Sequence, residues 1–286
     1  KLDDTGAQRG GYRELLQTNR AFRLLWIAQI ASLFGDWFNI IASATLLSHL
    51  TGAGAALGGF FAIRMLASFV ISPLSGVLAD RYNRKYILIV TDLLRFCAVL
   101  SLLLVRKPQH AWLLFTLTAL QVGIGGVFEP VRTAILPEIA SKRLLGAANT
   151  LSAVTWSTLL ALGAAAGGMF TSVFGIRTAF ILDALTYLFS AFLLVRMPYT
   201  AVKRTIRSKF QSFSILLVLR AGIKEYVEGL RYLLRNRYVL IIALQKAFVL
   251  FFFSGFQVAS VAIADSQLAA GYAGGAALGL IFAAGG

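Results

Sequence analysis

Eight charged side chains stand inside stretches that are otherwise apolar: Asp36, Arg64, Asp92, Arg95, Glu129, Arg132, Asp183 and Lys246. A charge at the centre of a hydrocarbon layer costs at least ~2.5–3.5 kcal/mol, so each needs a partner, a wet space or a task. Asp92–Arg95 and Glu129–Arg132 are acid–base pairs at i, i+3 spacing. On helices they can neutralise each other, or pair with the basic loop around Asp80. Lys246 can snorkel towards a membrane surface. Asp36 and Arg64 lie deep in their apolar runs, and Asp183 lies away from the middle of its own. These three and Lys246 are the candidates for coupling or cavity chemistry. A deep carboxyl group suits reversible proton binding. Burial disfavours its charged form, a nearby cation favours it, and a change of solvent access alters both.

The elements that carry these residues are spanning helices. Of the 286 residues 58% are hydrophobic and only 14% charged, against about 25% charged in a soluble domain. A spanning helix needs about 20 mostly apolar residues. Windows of that kind fall at Leu24–Leu47, Ala55–Ala79, Tyr86–Val105, Trp112–Leu136, Ala147–Phe174, Ile176–Val195 and Tyr238–Ala262, and an eighth opens at Ala273. The expected fold class is an all-α membrane protein. The expected segments are an N-terminal stretch at 1–23, a six-helix bundle at 24–196, a basic linker at 197–237, and the start of a second bundle at 238–286. The linker should hold an interfacial helix near Ser214–Arg235, apolar along Leu219, Ile223, Tyr226, Val227, Leu230 and Leu234. Six helices, a long basic loop and further helices outline a 6+6 transporter cut short. The chain is therefore expected to be a piece that cannot complete a transport cycle by itself.

Charge sets the orientation. With the N-terminus in the cytoplasm, the inner segments hold most of the 27 Lys and Arg, and the outer loops hold Arg106, Lys107 and Arg177. That distribution accounts for the net charge of +15 by contact with anionic lipid, without nucleic acid. Cys97 is the one cysteine, and His49 and His110 are far apart. They offer no disulfide and no metal-ligand spacing. There is no nucleophile–base pair and no G-x-x-x-x-G-K-[ST] loop, so neither an enzyme nor an ATP-driven pump is expected, and no cofactor or metal.

The second window ends in Gly76-Val77-Leu78-Ala79-Asp80-Arg81-Tyr82-Asn83-Arg84-Lys85. This resembles the G-x-L-a-D-R-x-x-R-[KR] signature that the major facilitator superfamily carries between its second and third helices. Asn83 stands where that signature often has Gly. Asn19–Trp26, Ser32–Trp37, Asp92–Arg95 and Glu129–Pro137 are similar to bacterial efflux-type members, the group that contains enterobactin exporters and macrolide efflux proteins. Gly163–Gly168 resembles the end of the antiporter motif, with Ala164 in place of its Pro. Phe115–Gly123 lacks the Arg that efflux members often carry there.

The resemblance implies a conformational switch at Gly76, Asp80, Arg81, Arg84 and Lys85, with Asp80 meeting a helix of the opposite half. It implies a cavity between halves, for which Trp37, Asn39, Trp156 and Gln257 are the candidate lining residues. The implied activity is export of an amphiphilic drug or siderophore by a monomer in the bacterial inner membrane, exchanging protons and touching lipid. The alternatives are a lipid or lysolipid translocator, or a non-transporting sensor or scaffold. Asp36 is the expected coupling acid, with Asp36→Asn expected to abolish proton-driven efflux and leave the protein in the membrane.

Overall fold

The computed structural model describes residues 4–52, 54–200, 227–245, 248, 249, 252 and 255. The seventh window lies partly, and the eighth wholly, outside the described residues, as do residues 201–226 of the linker with most of its expected interfacial helix, Lys246 and Gln257.

Seven helices run from the N-terminus: α1 (Asp4–Thr18), α2 (Arg20–Thr51), α3 (Gly54–Arg81), α4 (Arg84–Ser101), α5 (Ala111–Ile139), α6 (Leu145–Phe174) and α7 (Ile176–Arg196). Residues 227–235 and 237–245 are also helical, and the described residues hold no strand. Helices α2 and α4–α7 are each long and apolar enough to cross a membrane. Helix α3 makes a sixth candidate span, bent by 44° between Ser72 and Leu74. Pro73 stands at that break, where its missing N–H interrupts the helical ladder. The six windows between Leu24 and Val195 agree with these helices to within a few residues at most ends. Helix α4 stops earlier, at Ser101, and passes into a 3-10 turn at Leu102–Leu104.

Local chemistry fixes the helix ends. Asn19 caps α2, its Oδ1 accepting from the Phe22 N–H at 2.9 Å, and its Nδ2 donates to the Ile139 carbonyl at 2.7 Å. Asn83 caps α4 with its Oδ1 on the Lys85 N–H at 3.0 Å. Its φ of −64° is open to any residue, so Asn in place of Gly brings a cap and no strain. Gly175 alone separates α6 from α7 at φ +86°, a value that favours glycine.

Helix α1 was not expected. The first 23 residues carry three glycines and no sustained apolar period, so nothing local announces it. Tertiary contacts hold it instead. Leu15 is fully buried, Glu14 pairs with Arg143, and Arg23 donates to the Leu16 carbonyl at 2.8 Å.

Helix α2 is the centre of the bundle. It packs on α7 and α6, while α3 packs on α5, and α4 on α5 and α7. Four consecutive residues, Ile41–Ala44, are buried, so α2 is enclosed on every side there. Outward faces carry large apolar side chains, among them Leu66, Phe69 and Val70 on α3 and Leu162, Met169 and Val173 on α6. Such a surface suits hydrocarbon rather than water.

The buried apolar residues form two separate clusters. One includes Phe38, Leu47, Phe60, Leu102, Leu114 and Phe180. The other, nearer the Asp80 loop, includes Phe22, Leu25, Leu88, Val131, Ile135 and Leu194. Buried polar residues lie between them along α2, α4, α5 and α7. The crossing of α2 and α7 at this level depends on Gly35. A Cβ there would stand 2.5 Å from the Asp183 Oδ1 and closer still to the Thr186 hydroxyl. Gly35→Ala is expected to lower the unfolding free energy in detergent by about 1–3 kcal/mol. Gly146→Ala, with nothing within 4 Å of the added carbon, should leave it unchanged or slightly raised.

Candidate functional site

The layer between the two apolar clusters is organised around Arg95. Its Nη2 donates to both oxygens of Asp36, at 2.7 Å and 2.8 Å. Asp36 Oδ1 also accepts from the Tyr187 hydroxyl at 2.5 Å and from Gln121 Nε2 at 3.2 Å. Gln121 Nε2 donates in turn to the Tyr187 oxygen at 2.8 Å. The guanidinium lies over the Tyr187 ring, 4.1 Å from its centroid. Both bonds come from the one nitrogen, and Arg95 Nε makes no hydrogen bond.

Two further carboxyl groups sit in the same layer. Asp92 is fully buried. Ser190 Oγ donates to its Oδ2 at 2.5 Å, and Arg95 Nη1 stands 3.9 Å from its Oδ1. Asp183 is also fully buried, and neither of its carboxyl oxygens has a hydrogen bond. Arg64 approaches from α3. Its Nη1 is buried without a hydrogen bond, and its guanidinium carbon lies 5.6 Å from the centroid of the Phe60 ring. Asp36 and Asp183 both act on Arg64 electrostatically.

The structure thus brings Asp36, Arg64, Asp92, Arg95 and Asp183 into one layer, although they come from four helices. Sequence spacing favoured a local Asp92–Arg95 pair, but the close partner of Arg95 is Asp36, from a different helix. Gln121, Tyr187 and Ser190 were not anticipated. Gln121 is an amide within a spanning helix, and that cost was the signal available for it. A tyrosine and a serine are ordinary in such helices and gave none.

The other candidates lie elsewhere. Glu129 and Arg132 pair with each other, Nε to Oε2 at 2.9 Å, and Arg132 also donates to Ser152 of α6 at 3.3 Å. Neither reaches the Asp80 loop. Asn39 is fully buried, and its Oδ1 accepts from Ser43 at 3.2 Å. Trp37 is half-buried against Gly163 and Gly167. A Cβ on Gly163 would meet its ring at 2.5 Å, and one on Gly167 would meet its carbonyl at 3.1 Å. The small residues of α6 therefore serve the crossing with α2. Trp156 is exposed on α6.

At one end of the bundle, the Asp80 loop is tied down by its basic residues. Arg84 is almost wholly buried and its Nη1 stands 3.0 Å from Glu138 Oε1 on α5. It also donates to the carbonyls of Ala79, at 3.1 Å, and Ala134. Tyr199 adds a hydrogen bond to Glu138. Lys85 Nζ caps α7, donating to the carbonyls of Val195 at 2.9 Å and Met197 at 2.8 Å. Asp80 itself is 74% exposed and 3.7 Å from Arg84. Arg81 points outward, and a Cβ on Gly76 would meet nothing within 4 Å. Glu138, which carries no mark in the sequence, is thus the close acid of Arg84.

Residues 16–286 match the family of transmembrane secretion effectors. The chain belongs to this family of major facilitator superfamily transporters. It is 27% identical over 216 residues to an uncharacterised MFS-type transporter, YfiS, of Bacillus subtilis, a match covering 74% of this chain and 50% of that protein. It is 29% identical over 206 residues to the putative bacilysin exporter BacE of Bacillus amyloliquefaciens, covering 71% and 50%. It is 32% identical over 163 residues to the multidrug resistance protein MdtG of Klebsiella pneumoniae, covering 56% and 39%. The chain spans about half the length of the first two of these relatives. The secretion effectors are transporters and not a class of enzyme.

The two acids near Arg84 should behave differently. Glu138→Gln is expected to destabilise the protein by about 2–3 kcal/mol, because it strips a buried guanidinium of its close anion. Asp80→Asn, an exposed partner, should cost less than about 1 kcal/mol. Unfolding in mixed detergent measures both.

Proposed function

We propose that the protein serves in the export of an amphiphilic small molecule by alternating access, driven by proton antiport across the bacterial inner membrane. The observation that carries this reading is the polar layer. Three acids and two arginines meet within the spanning helices between two apolar clusters, with Asp92, Arg95 and Asp183 buried and Asp36 and Arg64 half-buried. Charges in such a place are costly, and a proton that enters or leaves changes their balance. The layer joins helices α2, α4, α5 and α7 through side chains, so a change in its charge bears on how those helices pack.

The names of two relatives, a putative bacilysin exporter and a multidrug resistance protein, support export rather than uptake. We place the N-terminus and the Asp80 loop on the cytoplasmic side, where the basic segments gather. Asp80 is exposed on that side, which suits a contact with the second half of a complete transporter. The cavity would lie between the two halves, along faces of α2, α3, α5 and α6 that include Trp37 and Trp156. The protein would work as a monomer, with lipid around its apolar outer faces. Drugs and siderophores fit the amphiphile class; bacilysin is named only for the relative.

The test is expression of the intact gene in bacteria stripped of their own efflux pumps. Ethidium efflux is expected to rise severalfold over the empty vector and to collapse when a protonophore dissipates the gradient. Efflux that persists after the collapse would contradict proton antiport. Accumulation of a lysolipid in place of ethidium efflux would favour a lipid translocator, and no transport of either would favour a sensor or scaffold.

A further inference from the structure

We propose that the polar layer holds one exchangeable proton and that Asp183 carries it. This deepens the antiport reading and relies on it for the proton's use, although the test below does not require transport.

Charge balance gives the first reason. The layer contains three carboxyl groups, Asp36, Asp92 and Asp183, and two guanidinium groups, Arg64 and Arg95. If all five were ionised, one negative charge would be left over within the spanning helices, where Asp92, Arg95 and Asp183 are buried and Asp36 and Arg64 half-buried. A net charge there is costly. One bound proton makes the layer neutral.

Hydrogen bonding decides which acid holds it. Asp36 is surrounded by donors: Arg95 on both oxygens, with Tyr187 and Gln121 on Oδ1. Asp92 accepts from the Ser190 hydroxyl on Oδ2, while its Oδ1 has no hydrogen bond and lies 3.9 Å from Arg95 Nη1. Asp183 is fully buried and no hydrogen bond of good geometry reaches either oxygen, the Asn39 amide being the neutral donor turned towards it. Of the three, Asp183 is the group whose ionised form is least compensated and whose neutral form is least costly.

The surroundings of Asp183 fit that assignment. Charged groups act on it from three other helices: Asp36 of α2, Arg95 of α4 and Arg64 of α3. Tyr187 acts on it from its own helix, and Asn39 of α2 is the neutral polar group turned towards it. Helix α6 has no titratable side chain. Arg95 is already committed to Asp36. Arg64 has no carboxylate within 4 Å among the described residues, but lies in the field of both Asp36 and Asp183. When Asp183 gives its O–H proton to water in an opened cavity, the carboxylate left behind has Arg64 as an uncommitted cation nearby. Asp36 then acts as the fixed counter-ion of Arg95, a positioning residue, and Asp183 as the group that exchanges the proton.

Infrared spectroscopy of the intact protein in lipid nanodiscs tests this directly. A protonated carboxyl group shows a carbonyl stretch distinct from that of a carboxylate and shifts in heavy water. The expected result is one such band at neutral pH, lost in Asp183→Asn and kept in Asp92→Asn. Asp183→Glu should move the band rather than remove it, which guards against failure of the Asn variant to fold. A band that survives Asp183→Asn and is unmoved in Asp183→Glu would overturn the proposal, as would absence of the band from the wild type. Efflux that ignores a protonophore would end the antiport reading and leave this assignment standing, so the two fail separately.

Discussion

The ion pair between Asp36 and Arg95 sets the terms for the rest of the bundle. Helices α2 and α4 both pack on α7, and this pair is the polar tie between them. A buried ion pair is a weak source of net stability, because both charges have left water. Its force is conditional: once the bundle has closed around both partners, separating them leaves an unpaired charge in an apolar interior. The pair therefore fixes which residues of α2 and α4 share a level. Tyr187 and Gln121 bind the same carboxylate, so α7 and α5 are held to that level too. Gly35 removes the bulk that would keep α7 away.

Above and below this layer the chemistry is simpler. Two apolar clusters close the bundle, and each is free of the acids and arginines that fill the level between them. The end with the Asp80 loop has its own polar anchors. Arg84 joins the end of α3 to α5, and Lys85 holds the last carbonyls of α7. These anchors use Arg84 and Lys85 of the loop motif within the bundle and leave Asp80 and Arg81 facing outward. An exposed acid beside a buried, fully engaged arginine is an arrangement suited to meeting a partner from outside without unfolding what lies beneath.

Much of this was legible in the sequence because the membrane imposes a simple rule. A span must be apolar over a set length, so Leu24–Leu47 or Ile176–Val195 could be read without any tertiary information. The charged residues stood out for the same reason, and the intramembrane acids Asp36, Asp92 and Asp183 were each identifiable as costly. What could not be read was their pairing. Spacing of i, i+3 suggests Asp92 for Arg95, yet Asp36 stands 59 residues away in sequence and lies closer. Glu138 and Tyr187 acquire their importance only from neighbours on other helices. Helix α1 was invisible for a related reason: Leu15 and Glu14 gain their partners from the rest of the bundle, and the local sequence shows no sign of it.

The account stands or falls on whether Asp36 and Arg95 act as one unit, and a double-mutant cycle on unfolding free energy measures that. Asp36→Asn, Arg95→Gln and the combined variant would be compared in the same mixed detergent. Each single change should be destabilising, Asp36→Asn more so than Arg95→Gln, because Arg95 is almost wholly buried and Asp36 is 21% exposed. The double variant should be far less unstable than the sum of the two, with a coupling of about 1.5–3 kcal/mol. Additive losses would show that the two residues contribute independently, and would contradict the central place given to the pair.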